Sequence, residues 1–304
     1  MRADRGLHGW LVIDKPPGLT SNRVVELIRR RAGTKVGHAG TLDPLATGVL
    51  PIAIGEATKT TSYAMTGYKR YRFRIRWGVA RTTDDREGEV IGECMARPGR
   101  KAVEAVLPRF VGTILQSPPL YSALKVNGRR AYALTRANMP PALCPRPVEI
   151  TRLQLIGIPD RDHADCEAVV GKGTYIRALA RDLGATLGTL AHVTELRRLS
   201  VGRFTEDQAV TLDSIAELGH ISADNAYLLP IETALGNIPA VVLTEAEAAR
   251  LRQGQSVAPG DPAGWPDFDR LEEGSVVGAW HNQGVVALVK IENGRLRPVR
   301  VINC

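Results

Sequence analysis

Hydrophobic and polar positions alternate most regularly in Tyr68–Trp77, which reads YKRYRFRIRW. A period of two is typical of a β-strand with one apolar and one polar face. The apolar face of this segment carries Tyr71, Phe73, Ile75 and Trp77. Two further segments, Val148–Ile158 and Ala164–Val170, are also predicted to be strands.

Helical spacing marks two other segments of the first two thirds of the chain. One helix is predicted to run to Arg31 from a cap at Thr20 or Ser21. A second is predicted over Thr174–Leu187, because apolar residues recur there every three or four positions and Gly188 follows. Helices and strands do not alternate strictly, which favours an α+β fold over a doubly wound one.

The last part of the chain reads as a separate, β-rich unit. Thr244 to Glu247 has the pattern of a capping box, and the helix that it opens is expected to end at Gly254. Ser275–Trp280 and Val285–Ile291 are predicted strands joined across a turn. The stretch from Ala258 to Gly274, rich in Pro, Gly and Asp, is predicted to be a long turn region. A boundary within 236–239 divides the chain into predicted domains 1–237 and 238–304.

Charge distinguishes the two parts of the chain. The 304 residues carry a net charge of +8. Residues 1–237 contain 33 basic and 24 acidic side chains, whereas residues 238–304 contain 7 and 8. A basic surplus favours a polyanionic partner, RNA or DNA first, although many proteins are basic for no specific reason.

Several classes of protein are disfavoured by what the sequence lacks. It contains no apolar run of eighteen residues and no apolar stretch near its first residue, so we expect a cytoplasmic protein without membrane spans. Its four cysteines form no C-x-x-C pair, and no G-x-G-x-x-G, P-loop or metal-ligand cluster occurs. These absences are consistent with a protein that uses no metal and no cofactor.

The polar face of the alternating segment is entirely basic. Between Thr66 and Arg81 there are six basic residues and no acidic one. One interpretation is a solvated outer face of a sheet. The other is a stripe of guanidinium groups that binds phosphates and gives salt-sensitive affinity.

Gly37–Leu50, reading GHAGTLDPLATGVL, is predicted to be a loop that leads into a short helix. An Asp-Pro pair such as Asp43-Pro44 is by itself typical of a capped helix start. Glycines at 37, 40 and 48 permit close backbone approach by a ligand, and His38 lies in the same loop. This concentration of special residues favours a functional role for Asp43 over a simple cap.

These segments carry a resemblance to the bacterial TruB family of tRNA pseudouridine synthases. GHAGTLDPLATGVLPI resembles that family's catalytic motif, and residues 8–204 resemble the family throughout. The other matching blocks, in family order, are DKPPGLTSN, GEATK, GYKRYRFRIRWG, SPPLYSALKVNGRRAYALTRA, KGTYIRALARDLG and AHVTELRRL. The tail, with LTEAEAARLRQGQSV and GRLRPVRVI, is similar to the PUA-like RNA-binding domain of these enzymes.

The resemblance implies a pseudouridine synthase fold, a mixed central sheet with flanking helices, followed by a small β-rich PUA-like domain. It implies that Asp43 is the essential carboxylate, acting as nucleophile or as base toward the ribose. Arg177 is the expected cationic partner that holds this carboxylate. Tyr71 is expected to stack on the target base and to help remove the proton from its ring carbon.

The resemblance also implies residues that contact the substrate. Tyr175 and Leu196 are expected to line the pocket, and His38 to occupy the space left by a flipped base. Lys15 and Lys59 are expected to support the active-site region or to contact RNA. For each of these residues the alternative is an ordinary structural role in the core or on the surface.

The implied activity is isomerisation of uridine 55 in the T-arm loop of tRNA, by a monomer that requires no protein partner and no membrane. Two alternatives stay open. One is a non-catalytic RNA-binding or tRNA-folding protein on the same scaffold. The other is a related synthase that works within a guide-RNA complex, which the absence of long basic extensions disfavours.

Overall fold

The computed structural model describes residues 6–258, 271–282 and 284–304. Of the turn region expected from Ala258 to Gly274, residues 259–270 lie outside the described part of the chain. The α-helices are α1 (Ser21–Ala32), α2 (Thr61–Ala64), α3 (Arg100–Val106), α4 (Ala131–Arg136), α5 (Ile176–Thr186), α6 (Leu212–Glu217) and α7 (Glu245–Arg252).

Strands make up most of the remaining regular structure. The strands are β1 (Gly9–Lys15), β2 (Val36–His38), β3 (Thr47–Ile54), β4 (Lys69–Trp77), β5 (Val79–Arg81), β6 (Val90–Glu93), β7 (Gly112–Gln116), β8 (Lys125–Val126), β9 (Arg129–Arg130), β10 (Arg146–Asp160), β11 (His163–Val170), β12 (Ala191–Val201), β13 (Phe204–Thr205), β14 (Ala240–Val242), β15 (Val276–His281), β16 (Gly284–Glu292) and β17 (Arg295–Val301). Short 3-10 helices occupy Gly55–Thr60, Leu107–Phe110, Glu206–Gln208 and Ile231–Leu235.

A mixed sheet organises the larger part of the protein. Its strand order is β1-β3-β12-β4-β11-β10-β7, with β2 paired to β3 and β13 to β12. The pairings are antiparallel except for that between β12 and β3, which is parallel. This arrangement confirms the predicted α+β class with a mixed central sheet.

Helices α1 and α5 pack against the sheet through the apolar faces that their sequences predict. Val24, Ile28, Leu179 and Leu183 are buried in one cluster with the apolar side of β4. Helix α1 begins as expected, since the Thr20 hydroxyl accepts a hydrogen bond from the Arg23 amide. Helix α5 begins two residues later than predicted.

The predicted strands are confirmed, and the alternation in β4 places Phe73, Ile75 and Trp77 in the core. The prediction of a short helix after Asp43 is wrong. Residues 44–45 form a turn, closed by a hydrogen bond from the Ala46 amide to the Asp43 carbonyl (3.1 Å), and β3 follows immediately. Pairing of β3 with both β1 and β12 satisfies its backbone and buries its apolar run, which outweighs the local preference for a helix start.

The basic face of β4 carries cross-strand ion pairs, while Arg70 and Arg72 stay about half exposed to solvent. Arg70 and Arg72 pair with Glu167 of β11, and Arg74 pairs with Asp165 of β11 and Glu195 of β12. The carboxylates stand on neighbouring strands, so the partners come together only when the sheet forms. The stripe is therefore a cross-strand ladder of ion pairs in which much of the positive charge is compensated.

The second sheet has the order β14-β15-β16-β17 and packs with helix α7, whose predicted capping box between Thr244 and Glu247 is present. It contacts the larger part through Val285 and Leu288, which share an apolar cluster with Trp10. The Lys59 ammonium donates to the carbonyl of Val301 (2.8 Å). None of the helices in the described residues has the length and apolarity needed to cross a membrane.

Gly48 is in close contact with β12, so a substitution there tests how β3 packs against β12. Its φ is +96°, and a Cβ atom placed there would overlap the backbone oxygen of Arg198 on the parallel strand β12. The close approach at this glycine is thus made by the protein's own backbone and not by a ligand. Gly37, by contrast, has open space around its Cα.

We predict that Gly48→Ala lowers the free energy of unfolding by on the order of 3 kcal/mol, from backbone strain and overpacking together. Gly37→Ala, the control on strand β2, should change it by less than about 1 kcal/mol. Denaturant unfolding of both variants measures the difference. Equal effects would contradict the assigned packing of β3 against β12.

Candidate active site

Asp43 lies in the wall of an open cavity of about 760 Å³. The cavity is bordered by the β1–α1 loop, the turn after β5, the segment before β8, helix α4 and the first turn of α5. Its lining residues are Thr20, Asp43, Pro44, Thr82, Thr83, Asp85, Glu87, Gly88, Glu89, Tyr121, Ser122, Ala123, Arg130, Tyr132, Arg136 and Arg177.

Arg177 holds the Asp43 carboxylate with two hydrogen bonds. Its Nε donates to Oδ2 (2.8 Å) and its Nη2 donates to Oδ1 (3.2 Å). The Arg177 side chain is 4% exposed whereas that of Asp43 is 34% exposed. The pair therefore presents the carboxylate to the cavity and keeps the guanidinium behind it, in the bidentate geometry that fixes the direction of a carboxylate.

The remaining donors of Arg177 are also used. Nη1 donates to the Thr83 carbonyl (2.7 Å), Nη2 donates to the Tyr121 carbonyl (2.9 Å), and Asp85 lies 3.6 Å from Nε. Burial alone would lower the pKa of this guanidinium, but Asp43 and Asp85 raise it above its ordinary value. Arg177 thus stays charged, and its orientation is fixed from three directions.

Asp85 is buried and is itself held in place. Its carboxylate accepts hydrogen bonds from the Thr83 hydroxyl (2.5 Å) and the Glu87 amide (3.0 Å). The preceding residue, Asp84, has a positive φ of 58° and pairs with Arg181 one turn further along α5. Two consecutive aspartates therefore fasten this turn to two arginines of the same helix.

Lys15 lies beneath the Asp43 loop with no exposed surface. Its ammonium donates to the carbonyls of Pro16 (2.9 Å), Leu19 (2.8 Å) and Pro44 (3.1 Å). Burial lowers the pKa of Lys15 to about 8, although the nearby Asp43 carboxylate opposes that shift. Lys15 therefore supports the loop, one of the two roles expected for it.

The structure brings Tyr71 and Leu196 to one face of the sheet. Tyr71 on β4 is directly opposite Arg198 of β12, and Leu196 is two residues away along β12 on the same face. Such diagonal neighbours are within reach of an aromatic side chain. Tyr175 precedes α5, and its backbone amide and carbonyl both bond the side chain of Gln116. All three lie outside the cavity wall as the described residues form it.

His38 and Lys59 are placed away from the Asp43 cavity. His38 is half-buried on β2, where burial and then Arg198 lower its pKa, and its Nδ1 has no hydrogen-bond partner in the described residues. Lys59 pairs with Glu56 (2.6 Å) and donates to the Val301 carbonyl, so it ties the second sheet to the larger part. The structure thus joins Asp43, Arg177 and Lys15 in one site and leaves these two at its periphery.

Comparison with known proteins finds relatives over nearly the whole chain. Residues 28–176 match the model of the TruB family pseudouridylate synthase N-terminal domain, and residues 177–236 match the tRNA pseudouridylate synthase B C-terminal domain. The tRNA pseudouridine synthase B of Rhodospirillum rubrum is 52% identical over 99% of this chain and 98% of its own length. The tRNA pseudouridine synthase B of Bradyrhizobium diazoefficiens is 49% identical over 99% of this chain and 88% of its own length.

The chain belongs to the TruB family. The members of this family are enzymes that form pseudouridine in tRNA. A solved Cbf5-Nop10-Gar1 complex contains a chain that is 25% identical and superposes with a TM-score of 0.73, covering 97% of this chain and 85% of that one. An H/ACA RNP bound to a substrate RNA containing 2′-deoxyuridine has a TM-score of 0.72 at 23% identity, covering 97% and 85%, and shares the fold.

Inspection of the sequence missed several residues of this TruB-family site. Asp85 lies in the ordinary-looking stretch TTDDREG, and only the structure places it beside Arg177. Tyr132 packs edge-on against Tyr121 and carries the Arg136 guanidinium 4.5 Å above its ring. The interleaving of tyrosine and arginine around residues 121–136 was an available signal, because proteins that bind single strands of nucleic acid use such platforms.

We predict that Asp85→Asn lowers kcat at least tenfold while tRNA affinity stays near wild type. Without the second carboxylate the Arg177 fork can rotate, and a shift of about 1 Å in a reacting group can cost on the order of 10²-fold in rate. Asp84→Asn is the control, since Asn tolerates a positive φ and Asp84 pairs with Arg181. Single-turnover rates and binding curves distinguish the two, and an equal loss in both would indicate general disruption of the turn.

Proposed function

We propose that this TruB-family enzyme isomerises uridine 55 in the T-arm loop of tRNA to pseudouridine, with Asp43 as the essential carboxylate. The observation that carries the proposal is the Asp43–Arg177 pair. A carboxylate is held bidentately on the wall of an open cavity by a buried arginine. This geometry leaves an oxygen-bearing edge of Asp43 available to a substrate that enters the cavity.

The reaction breaks the bond between N1 of uracil and C1′ of ribose and forms a bond between C5 and C1′. C5 loses one proton and N1 gains one, so the atoms and electrons balance without an oxidant or an energy source. Asp43 acts on the nucleoside as nucleophile or as base toward the ribose, and both roles require it to be ionised. Arg177, which keeps its charge throughout the ordinary pH range, fixes the direction of this carboxylate.

Tyr71 is the proposed partner of the uracil ring. Its aromatic face suits stacking, and its phenol suits removal of the proton from C5. Leu196, on the same sheet face, is proposed to supply an apolar surface for the base. Tyr175 is proposed to line the pocket beside it. These residues have to meet the base after it enters the cavity, so the proposal includes movement of the substrate or of the cavity wall.

Base extrusion is part of the proposal. A uridine stacked inside a folded loop cannot place its ribose against a carboxylate in a cavity wall, so the nucleotide has to leave the stack. His38, a half-buried residue with an unsatisfied Nδ1, is proposed to occupy the space that the base vacates.

We assign most of the RNA binding to the larger part of the protein, residues 1–237. Arg130, Arg136 and Tyr132 border the cavity and provide charge and an aromatic face for the strand around the target. Residues 238–304, with a net charge of −1, are proposed as a PUA-like domain that adds contacts with the tRNA. The proposed enzyme is a cytoplasmic monomer that needs no protein partner.

The test compares an unmodified tRNA transcript treated with wild type and with Asp43→Asn. We expect wild type to convert the single uridine at position 55, and the variant to bind the tRNA with unchanged affinity but to lose at least about 10³-fold in rate, the scale on which removal of a nucleophile acts. Pseudouridine is mapped at nucleotide resolution, and binding is measured separately.

Asp14→Asn is the matched control. Asp14 is also held bidentately by an arginine, with distances of 2.9 and 3.0 Å to Arg197, but it lies outside the Asp43 cavity. It should retain turnover within about threefold. Full turnover by Asp43→Asn would contradict the catalytic assignment. Wild type that binds tRNA without converting it would instead favour the tRNA-folding alternative, and conversion only with added guide RNA and proteins would favour the guided one.

A further inference from the structure

Arg198 is a buried cation that the proposed chemistry does not use. Its side chain is 1% exposed, and it forms no ion pair with a carboxylate of the described residues. Burying a guanidinium is costly unless its donors are satisfied. A role for it must therefore be sought in the groups that it does bind.

Those groups are backbone carbonyls on both sides of Asp43, two in its loop and one in strand β3. Nε donates to the Val49 carbonyl (2.8 Å), Nη2 donates to the Gly40 carbonyl (2.9 Å), and Nη1 lies 3.5 Å from the Thr41 carbonyl. Gly40 and Thr41 precede Asp43, and Val49 follows it. One planar fork thus joins the start of the loop that carries the carboxylate to the strand β3 that follows it.

The position of Arg198 in the sheet makes this clamp rigid. Arg198 pairs with Gly48 of β3 on one side and with Tyr71 of β4 on the other. The backbone at Gly48 passes so close to it that a Cβ atom would not fit. Arg198 therefore connects the Asp43 loop to β4, the strand that carries Tyr71.

Other contacts hold the middle of the loop, and its ends are held by the pairing of β2 with β3 together with Arg198. Lys15 binds the Pro44 carbonyl, and the Ser21 hydroxyl bonds both the amide and the carbonyl of Leu42. The Asp43 side chain itself is held by Arg177. Arg198 donates its hydrogen bonds to backbone carbonyls. Its charge also lowers the pKa of His38, so a variant that keeps the charge isolates the effect on the position of the loop.

We infer that Arg198 is a positioning residue that fixes the Asp43 loop against the sheet face of Tyr71, so that carboxylate and stacking ring meet the same nucleotide. The inference rests on the proposed function. A lysine keeps the charge but has a single nitrogen, and it cannot span carbonyls on both sides of Asp43 with the guanidinium geometry.

The test uses Arg198→Lys, with Arg198→Gln as a second variant that retains an amide donor if the first fails to fold. Single-turnover rate at saturating enzyme should fall about 100-fold, the scale of an ångström-size misplacement, with tRNA affinity within about twofold of wild type. Amide exchange should accelerate at least about tenfold in residues 39–49 and not in β10 or β11.

Arg97→Lys is the matched control. Arg97 also binds carbonyls, those of Cys94 (2.7 Å) and Ala96 (3.1 Å), and pairs with Asp162, but it lies away from the Asp43 loop. Its thermal midpoint should fall comparably while its turnover stays within about twofold of wild type.

Two results would overturn the inference: wild-type turnover in Arg198→Lys, or faster exchange spread over the whole sheet with a rate loss equal to the unfolded fraction. Failure of the proposed function is a separate result, since wild type would then form no pseudouridine. The exchange measurement on residues 39–49 needs no RNA and tests the clamp in that case as well.

Discussion

The ion pair between Asp43 and Arg177 is the interaction on which the rest of the site depends. The arginine is almost fully buried and the carboxylate is one-third exposed, so the charge that must remain in the interior belongs to the side chain that cannot lose its proton. A buried guanidinium requires several acceptors, and Asp85, Thr83 and Tyr121 supply them. The contacts of Arg177 therefore hold the turn after β5 and the segment before β8 next to the Asp43 loop.

The Asp43 loop is shaped by cations that face its carbonyls. Lys15 holds it from the β1–α1 side, and Arg198 on β12 joins its start to β3. Such loops would otherwise expose polar backbone groups to the interior, at a free-energy cost comparable to a lost hydrogen bond for each group. The same contacts that satisfy this backbone also fix where the carboxylate lies, so the residues that stabilise the loop also position the proposed catalytic group.

Local patterns predicted those features that depend on neighbouring residues in the chain. The alternation in β4, the Thr20 cap and the spacing in α5 each report a single element, and all were confirmed. The helix expected after Asp43 failed because β3 is paired on both sides, a fact of tertiary structure. The arginines of β4 were assigned to phosphate or solvent because their carboxylate partners lie about 90 to 120 residues away in sequence. Asp85 and Arg198 were missed for the same reason.

The most direct test is the single-turnover rate of Arg177→Lys, measured with Arg197→Lys as the control, because Arg197 holds the similarly exposed Asp14 bidentately. If the bidentate fork aims the Asp43 carboxylate, Arg177→Lys should lose about 100-fold or more in rate with tRNA affinity unchanged, and Arg197→Lys should stay within about threefold. Equal rates for Arg177→Lys and wild type would contradict the account, because a point charge would then serve as well as the fork.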